Sequence, residues 1–256
     1  MSEEKNTSTP QKVLYVELTP MEFRQRVAAA PIAYLPLGTL EWHGEHLPLG
    51  SDGLQAQGFF THLAQRVGGI VLPMLFLGTD LQQVIDGQVY FGMEIFGFAK
   101  GSPQQLDGSA YWITDAQFKT LIESVLFHLA RTGFKIVVAH GHGPSTQLFN
   151  KHRSEWGREF NLELFTCWDT KNWDEETGLQ TDHAAANETS LMMALHPDLV
   201  KMELLSTKRD ERPKAIIGKD PRYHASAEMG NKILDNNLAW MESVLRQALR
   251  GKLNAS

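Results

Sequence analysis

The sequence predicts an α/β fold: a single domain with a mostly parallel central sheet flanked by helices. Three observations carry this. Short, almost wholly apolar runs recur at residues 13–18, 32–37, 70–75, 136–140 and 162–167, without the alternation of a strand that faces water on one side, and this marks burial on both faces. Between them lie segments with helical start signals or a helical apolar period. The alternation of the two kinds of segment implies βαβ units in one layered domain.

Taken in order, residues 1–11 are polar and rich in Ser, Thr and Glu. They lack the apolar core of a signal peptide, and the expectation is a flexible tail ahead of a domain over residues 12–256. Thr19-Pro20-Met21-Glu22 is a capping box with proline at the first helical position, opening a helix to about residue 29. A second helix starts near Gly53, with Asp52 by its cap, and stops before Gly68-Gly69. Residues 78–113 break the rhythm with scattered glycines and the aromatics Tyr90, Phe91, Phe96, Phe98, Tyr111 and Trp112. A loop this long in a compact domain is usually functional, and we read it as a lid or subunit-contact excursion. Thr114, with Gln117 three residues on, opens a helix through Ile122, Val125, Leu126 and Leu129 to Gly133. Two further helices are expected near 188–194 and 225–249, and no internal repeat is present.

Composition narrows the class. Of 256 residues, 42% are hydrophobic and 21% charged, enough apolar material for a core in an ordinary soluble domain. The net charge of −6 comes without any block of Lys or Arg, which argues against a nucleic-acid or anionic-membrane partner. A single cysteine, Cys167, excludes an internal disulfide framework and fits a cytoplasmic protein. No apolar run approaches the roughly 20 residues that span a bilayer.

The chemistry lies in three islands. The first, from Leu37 to Asp52, reads L-G-T-L-E-W-H-G-E-H-L-P-L-G-S-D directly after an apolar run. A strand thus delivers its C-terminal end into a knot of carboxylates and imidazoles, the ligand mix of a hydrolytic zinc or manganese centre. In an extended segment Glu41 and His43 project to one side, and the turn bearing Gly44, Pro48 and Gly50 can fold Asp52 back toward them. The second island, His140-Gly141-His142-Gly143, follows another strand, where open α/β sheets place their ligands. The third is Thr181-Asp182-His183, with Glu188 five residues later at a helix entry. Each island alone has an ordinary explanation, a tight turn or a carboxylate on a helix dipole. His62, His128, His152, His196 and His224 are read as plain hydrogen-bonding residues. Together the islands supply enough N and O donors for two divalent ions. Other chemistries have less support: Gly141 to Thr146 lacks the Gly-Lys-Ser/Thr ending of a phosphate loop, no Gly-x-Ser-x-Gly elbow occurs, and Cys167 sits inside an apolar strand segment.

These residues resemble the creatininase (creatinine amidohydrolase) family. The run from Pro36 to Asp52 is similar to that family's signature, as are Gly141-His142-Gly143, the stretch from His183 to Glu188-Thr189-Ser190, and Asp220-Pro221-Arg222 followed by Ala227-Glu228 and Gly230. The resemblance implies an α/β fold, two divalent metal ions (Zn, Mn or Fe), a small-molecule substrate and a homo-oligomer, commonly a hexamer. It implies one ion on Glu41, Asp52 and His142, and the other on His43, Asp52 and a second glutamate, with Asp52 bridging and His183 as the catalytic histidine. In creatininase proper the second glutamate lies two residues after the Gly-His histidine. Here that position is Pro144, which cannot ligate, so Glu188 is expected in its place. Other departures are His140-Gly141-His142-Gly143-Pro144-Ser145 against the usual Asn-Gly-His-Gly-Gly-Asn, Leu179 where creatininase proper has a tryptophan, and no histidine between Gly78 and Asp86. They leave a metal core, with Glu188 expected for the ligand lost at Pro144, and turn the expectation away from creatinine itself. The family also holds formamide hydrolases, a peptide-maturation peptidase and ring-opening hydrolases of cyclic keto-inositols.

The expected activity is metal-dependent hydrolysis of a cyclic amide, amide or related carbonyl. The two cations would make a bridging hydroxide available near neutral pH, and His183 would shuttle the proton to the leaving group. Trp42 and Trp168 are candidates for the pocket wall, and Glu45, His46 and His140 for support of ligands or substrate. The alternatives are ring opening of a cyclic keto-inositol, or a metal- or small-molecule-binding α/β protein without catalysis.

Overall fold

The molecule is described from a computed structural model that covers residues 12–96, 103–168, 177–208 and 210–253; the expected tail 1–11 lies outside them, as does Phe98. In chain order the elements are α1 (Pro20–Ala29), β1 (Ile32–Leu37), α2 (Ser51–Val67), β2 (Ile70–Val71), β3 (Gln82–Ile85), β4 (Gln88–Phe91), α3 (Met93–Phe96), α4 (Asp115–Arg131), β5 (Ile136–Gly141), α5 (Gly143–Phe160), β6 (Glu163–Thr166), α6 (Ala186–Leu195), α7 (Pro221–His224) and α8 (Ala227–Leu253). The central sheet has the order β2-β1-β5-β6 and is parallel throughout. β3 and β4 form a separate antiparallel hairpin.

Side chains along β1 and β5 alternate between two cores, as the two-residue period of a strand requires. Ile32, Tyr34, Ile136 and Val138 join Phe59 and Phe60 of α2, Leu191 of α6 and Ile233, Met241 and Leu245 of α8 on one face. Ala33, Leu35, Val137 and Ala139 join Phe118 and Ile122 of α4 and Phe149 and Trp156 of α5 on the other. Each fully buried large apolar side chain contributes roughly 1.5–3 kcal/mol, so both layers are held by the sheet between them.

The expected helices are present, and both capping boxes form: the Thr19 and Thr114 hydroxyls accept from the backbone N–H of Glu22 and Gln117, whose side chains reach back. Two expectations change, and one helix was not expected. Residues 13–18 do not form a strand; Leu14 makes one bridge to Val71 before a 3-10 turn at Tyr15–Glu17. The run 70–75 is a strand only at Ile70–Val71, with a separate bridge from Leu75 to Leu37, because Pro73 between them has no N–H for a ladder. Finally, α5 has no clear signal in the sequence. Its exposed face is charged, and Pro144 reads as a turn, yet it sits in the first helical turn, where a missing N–H costs nothing.

The connections place the site. α2 leaves β1 over one face toward β2, and α5 leaves β5 over the other toward β6. Adjacent strands β1 and β5 therefore send their chains apart, which opens a crevice at their carboxyl ends. Gly141 permits the parting: it has φ +142°, and a Cβ there would stand 1.7 Å from the Leu37 carbonyl, which accepts from the His142 N–H at 3.0 Å.

Candidate metal centre

The crevice collects the three islands. The loop after β1 carries Glu41 and His43, the first turn of α2 carries Asp52, His142 precedes α5, and Glu188 lies in the first turn of α6. All five are buried, none more than 4% exposed. Helix N-termini favour carboxylates, so Asp52 and Glu188 sit where the backbone tolerates their charge.

Three imidazoles follow one pattern. His43 Nδ1–H donates to the Glu41 carbonyl (3.0 Å), and its Nε2 faces Asp52 Oδ1 (3.4 Å) and Glu188 Oε2 (3.5 Å). His142 Nε2–H donates to the Thr79 carbonyl (3.2 Å), and its Nδ1 faces Asp52 Oδ2 (3.1 Å) and Glu41 Oε2 (3.5 Å). His183 Nε2–H donates to the Trp42 carbonyl (2.9 Å), and its Nδ1 lies 4.0 Å from Glu41 Oε2. A carbonyl can only accept, so each neutral ring turns a bare lone pair toward carboxylate oxygens. Those contacts repel unless a proton or a cation lies between them. His43 Nε2 is buried with no hydrogen-bond partner, and Asp52 offers one oxygen to each of two imidazoles. The donor set and its tautomers suit divalent cations held by histidine and carboxylate, with each histidine oriented by a backbone carbonyl.

The electrostatics agree. Burial lowers His43, but Asp52, with Glu188 and Glu41, outweighs it, and the ring is pushed up to about 10. Burial also opposes His142, yet Asp52, Glu41 and Asp80 push it up to about 9. For Asp52, burial is outweighed by His43 and His142, and the carboxyl is held below its usual range. Burial raises Glu41 to about 7 and Glu188 well above the carboxylate range. His183 goes the other way: burial, then the neighbouring His43, hold it down at about 3, so it is neutral at pH 7.

The remaining sequence-selected residues separate. Trp168 lines the cleft, a cavity of about 440 Å³ that also includes Met93, Phe96, Gln180 and Asp182. His140 is buried edge-on against Trp168, at 5.3 Å and 87°. His46 Nε2–H donates to the Thr189 hydroxyl (2.9 Å), which donates to the Ala184 carbonyl, and so braces the turn that carries Glu188. Trp42 points its ring away, against Met93, Leu106 and Ala215, and only its carbonyl serves the site. Glu45 is exposed and lines a different surface hollow. The described part of the excursion, 78–96 and 103–113, reaches the site, since Gly92, Met93 and Phe96 line it. It also brings in Asp80, which sequence reasoning missed: Asp80 Oδ2 lies 3.6 Å from His142 Nε2. A signal existed, because Leu77-Gly78-Thr79-Asp80 repeats the Leu37-Gly38-Thr39 exit from the neighbouring strand. Among the described residues, Glu41, Asp80 and His142 form one of three candidate ligand groups, beside His43, Asp52 and Glu188, and Glu41, His43 and His183.

Known proteins share this architecture. A family model described as Creatininase: Creatinine amidohydrolase matches residues 16–245. A creatinine amidohydrolase from Pseudomonas putida is 28% identical over 206 residues, 73% of this chain and 73% of that one. A crystal structure of creatinine amidohydrolase (creatininase) superposes with TM-score 0.70 at 25% identity, covering 93% of this chain and 98% of that one. A structure described as creatininase Mn does so with TM-score 0.68 at 25% identity, over the same shares.

Proposed function

The chain belongs to the creatininase family, and from that premise we propose that it is a dinuclear metal-dependent hydrolase of an amide, cyclic amide or related carbonyl compound. One observation carries the reading: three imidazoles, each tied by one ring N–H to a backbone carbonyl, turn their other nitrogen onto buried carboxylate oxygens. Glu41, Asp52 and His142 would hold one ion and His43, Asp52 and Glu188 the other, with Asp52 between them. Bound Zn, Mn or Fe supplies Lewis acidity, which acidifies water and polarises a carbonyl.

The chain's own residues do the rest. His183 is the most exposed of the three rings, with 17% of its side chain accessible, and it lines the cleft. With Nε2–H held by the Trp42 carbonyl, Nδ1 is the atom that takes the proton from the attacking water and returns it to the leaving group. Trp168 and Phe96 cover apolar parts of the substrate and exclude bulk water. His46 and Thr189 keep the α6 turn, and with it Glu188, in register. Creatinine itself is not the favoured substrate, because Pro144 and Leu179 replace a ligand and a packing tryptophan of creatininase proper. Ring opening of a cyclic keto-inositol stays within the same chemistry. The chain is also proposed to be cytoplasmic, as its lone cysteine suggests, and to assemble as a homo-oligomer, a hexamer by analogy, which sedimentation would test. Among the described residues no helix is long and apolar enough to cross a membrane.

The test combines metal content with turnover. Gently purified protein should carry close to two equivalents of Zn, Mn or Fe, and one of the cyclic amides, formamides, lactones or keto-inositols should be hydrolysed. Protein that binds no divalent metal even after reconstitution would remove the reading.

A further inference from the structure

Beyond the five proposed metal ligands, the cleft contains a carboxylate with spare capacity. Asp80 has only 8% of its side chain accessible. Its Oδ1 accepts from the Leu81 N–H at 2.6 Å, while Oδ2 lies over Gly92, where a Cβ would stand 2.2 Å from it. Near it, His142 Nε2 has its hydrogen on the Thr79 carbonyl. The other cleft aspartate, Asp182, is occupied, since its oxygens accept from the Asn187 and Glu188 N–H groups. Asp80 Oδ2 lies 3.6 Å from His142 Nε2, and a carboxylate oxygen has lone pairs enough to accept from a further donor as well; Asp80 lines the cleft with this capacity still open.

The cleft also continues past Asp80. A second cavity of about 650 Å³ shares Asp80, Pro144 and Gln147 with the first. It adds a second carboxylate, Asp115, which bonds the Thr79 hydroxyl. Lys151 is the one Lys or Arg among the described residues that line either cavity. An anionic tail would meet more negative charge than positive there.

We propose that Asp80 is a specificity-determining residue that receives a cationic, N–H-bearing group of the substrate (ammonium, amidinium or guanidinium), with the rest of an elongated molecule lying in the second cavity. The proposal rests on the reading of the cleft as a metal centre. Hydroxamates anchor on such centres through their own oxygens, so binding can be read without knowing the substrate. Calorimetry on the metal-loaded full-length protein would compare acetohydroxamate, a series of ω-amino hydroxamates from glycine hydroxamate to 6-aminohexanohydroxamate, and neutral alkyl hydroxamates of matched length. At least one amino probe should bind about tenfold more tightly than its neutral match, the worth of a charge-assisted hydrogen bond. In Asp80→Asn that ratio should fall to about one while metal content stays at the parent value. Equal affinity of all amino and neutral pairs overturns the proposal. Loss of metal in Asp80→Asn also overturns it, by making Asp80 a ligand. Absence of acetohydroxamate binding is a different failure: it removes the metal reading and the proposal with it.

Discussion

Asp52 and His183 occupy opposite positions in the charge balance of the site. Asp52 gives one oxygen to His43 and the other to His142, so a single truncation uncouples both proposed ion sites. Asp52→Ala is expected to lower metal content from near two equivalents to well below one, measured by elemental analysis after dialysis. His183 stands at the rim, with Nδ1 4.0 Å from Glu41 Oε2. His183→Ala should keep its metal and lose about 10²–10⁴-fold in kcat, the usual contribution of a positioned acid–base group; full activity in that variant would end its assigned role. These residue types were legible because carboxylates and imidazoles crowded after an apolar strand have few structural uses. Asp80 carried a weaker signal, the repeated Leu-Gly-Thr exit, and a lone aspartate in a glycine-rich stretch looks like turn chemistry until the chain folds over His142.

Among the elements, α6 decides the position of Glu188, and its seat against α8 is unusually close. A Cβ on Gly230 would stand 1.9 Å from the Ser190 carbonyl, and the Ser190 hydroxyl accepts from the Ser226 N–H at 3.0 Å. Gly230→Ala must push the two helices apart. Overpacking of this kind costs about 1–3 kcal/mol, so the melting point should fall by about 5 °C in a chain this size, with weaker metal retention as Glu188 shifts. Unchanged melting and metal content would show that α8 does not hold α6 in place. The capping boxes before α1 and α4 could be read from four residues each, because cap chemistry is local. α5 could not: its buried residues, such as Phe149 and Trp156, are diluted by a charged face, and its helicity depends on packing against α4 and β6.

For the whole molecule, the buried charges tie stability to pH and to metal. Without metal, His43 and His142 are raised to about 10 and about 9, above the ordinary value for an unfolded imidazole. The stability they contribute is complete below about pH 6.5 and is lost as pH rises through 9 to 10. Glu41, raised to about 7, acts in the same direction at lower pH. Metal-free protein should therefore lose on the order of 1 kcal/mol per pH unit between pH 7 and 9. Metal-loaded protein should hold or gain stability there, because cations replace the protons and bind better as protons become scarce. Denaturant unfolding at pH 7, 8 and 9, with and without metal, checks this; a rise in metal-free stability across the window would contradict it. The sequence by itself determined the parallel α/β class, most of the helices and the donor types of the centre, because apolar runs, caps and ligand-rich motifs are encoded within short spans. Only the tertiary structure decided which carboxylate faces which ring nitrogen, that Trp42 and Glu45 turn away, and that Asp80 joins the cleft. Those outcomes depend on side chains up to 147 residues apart, from Glu41 to Glu188, meeting where β1 and β5 send their chains to opposite faces of the sheet.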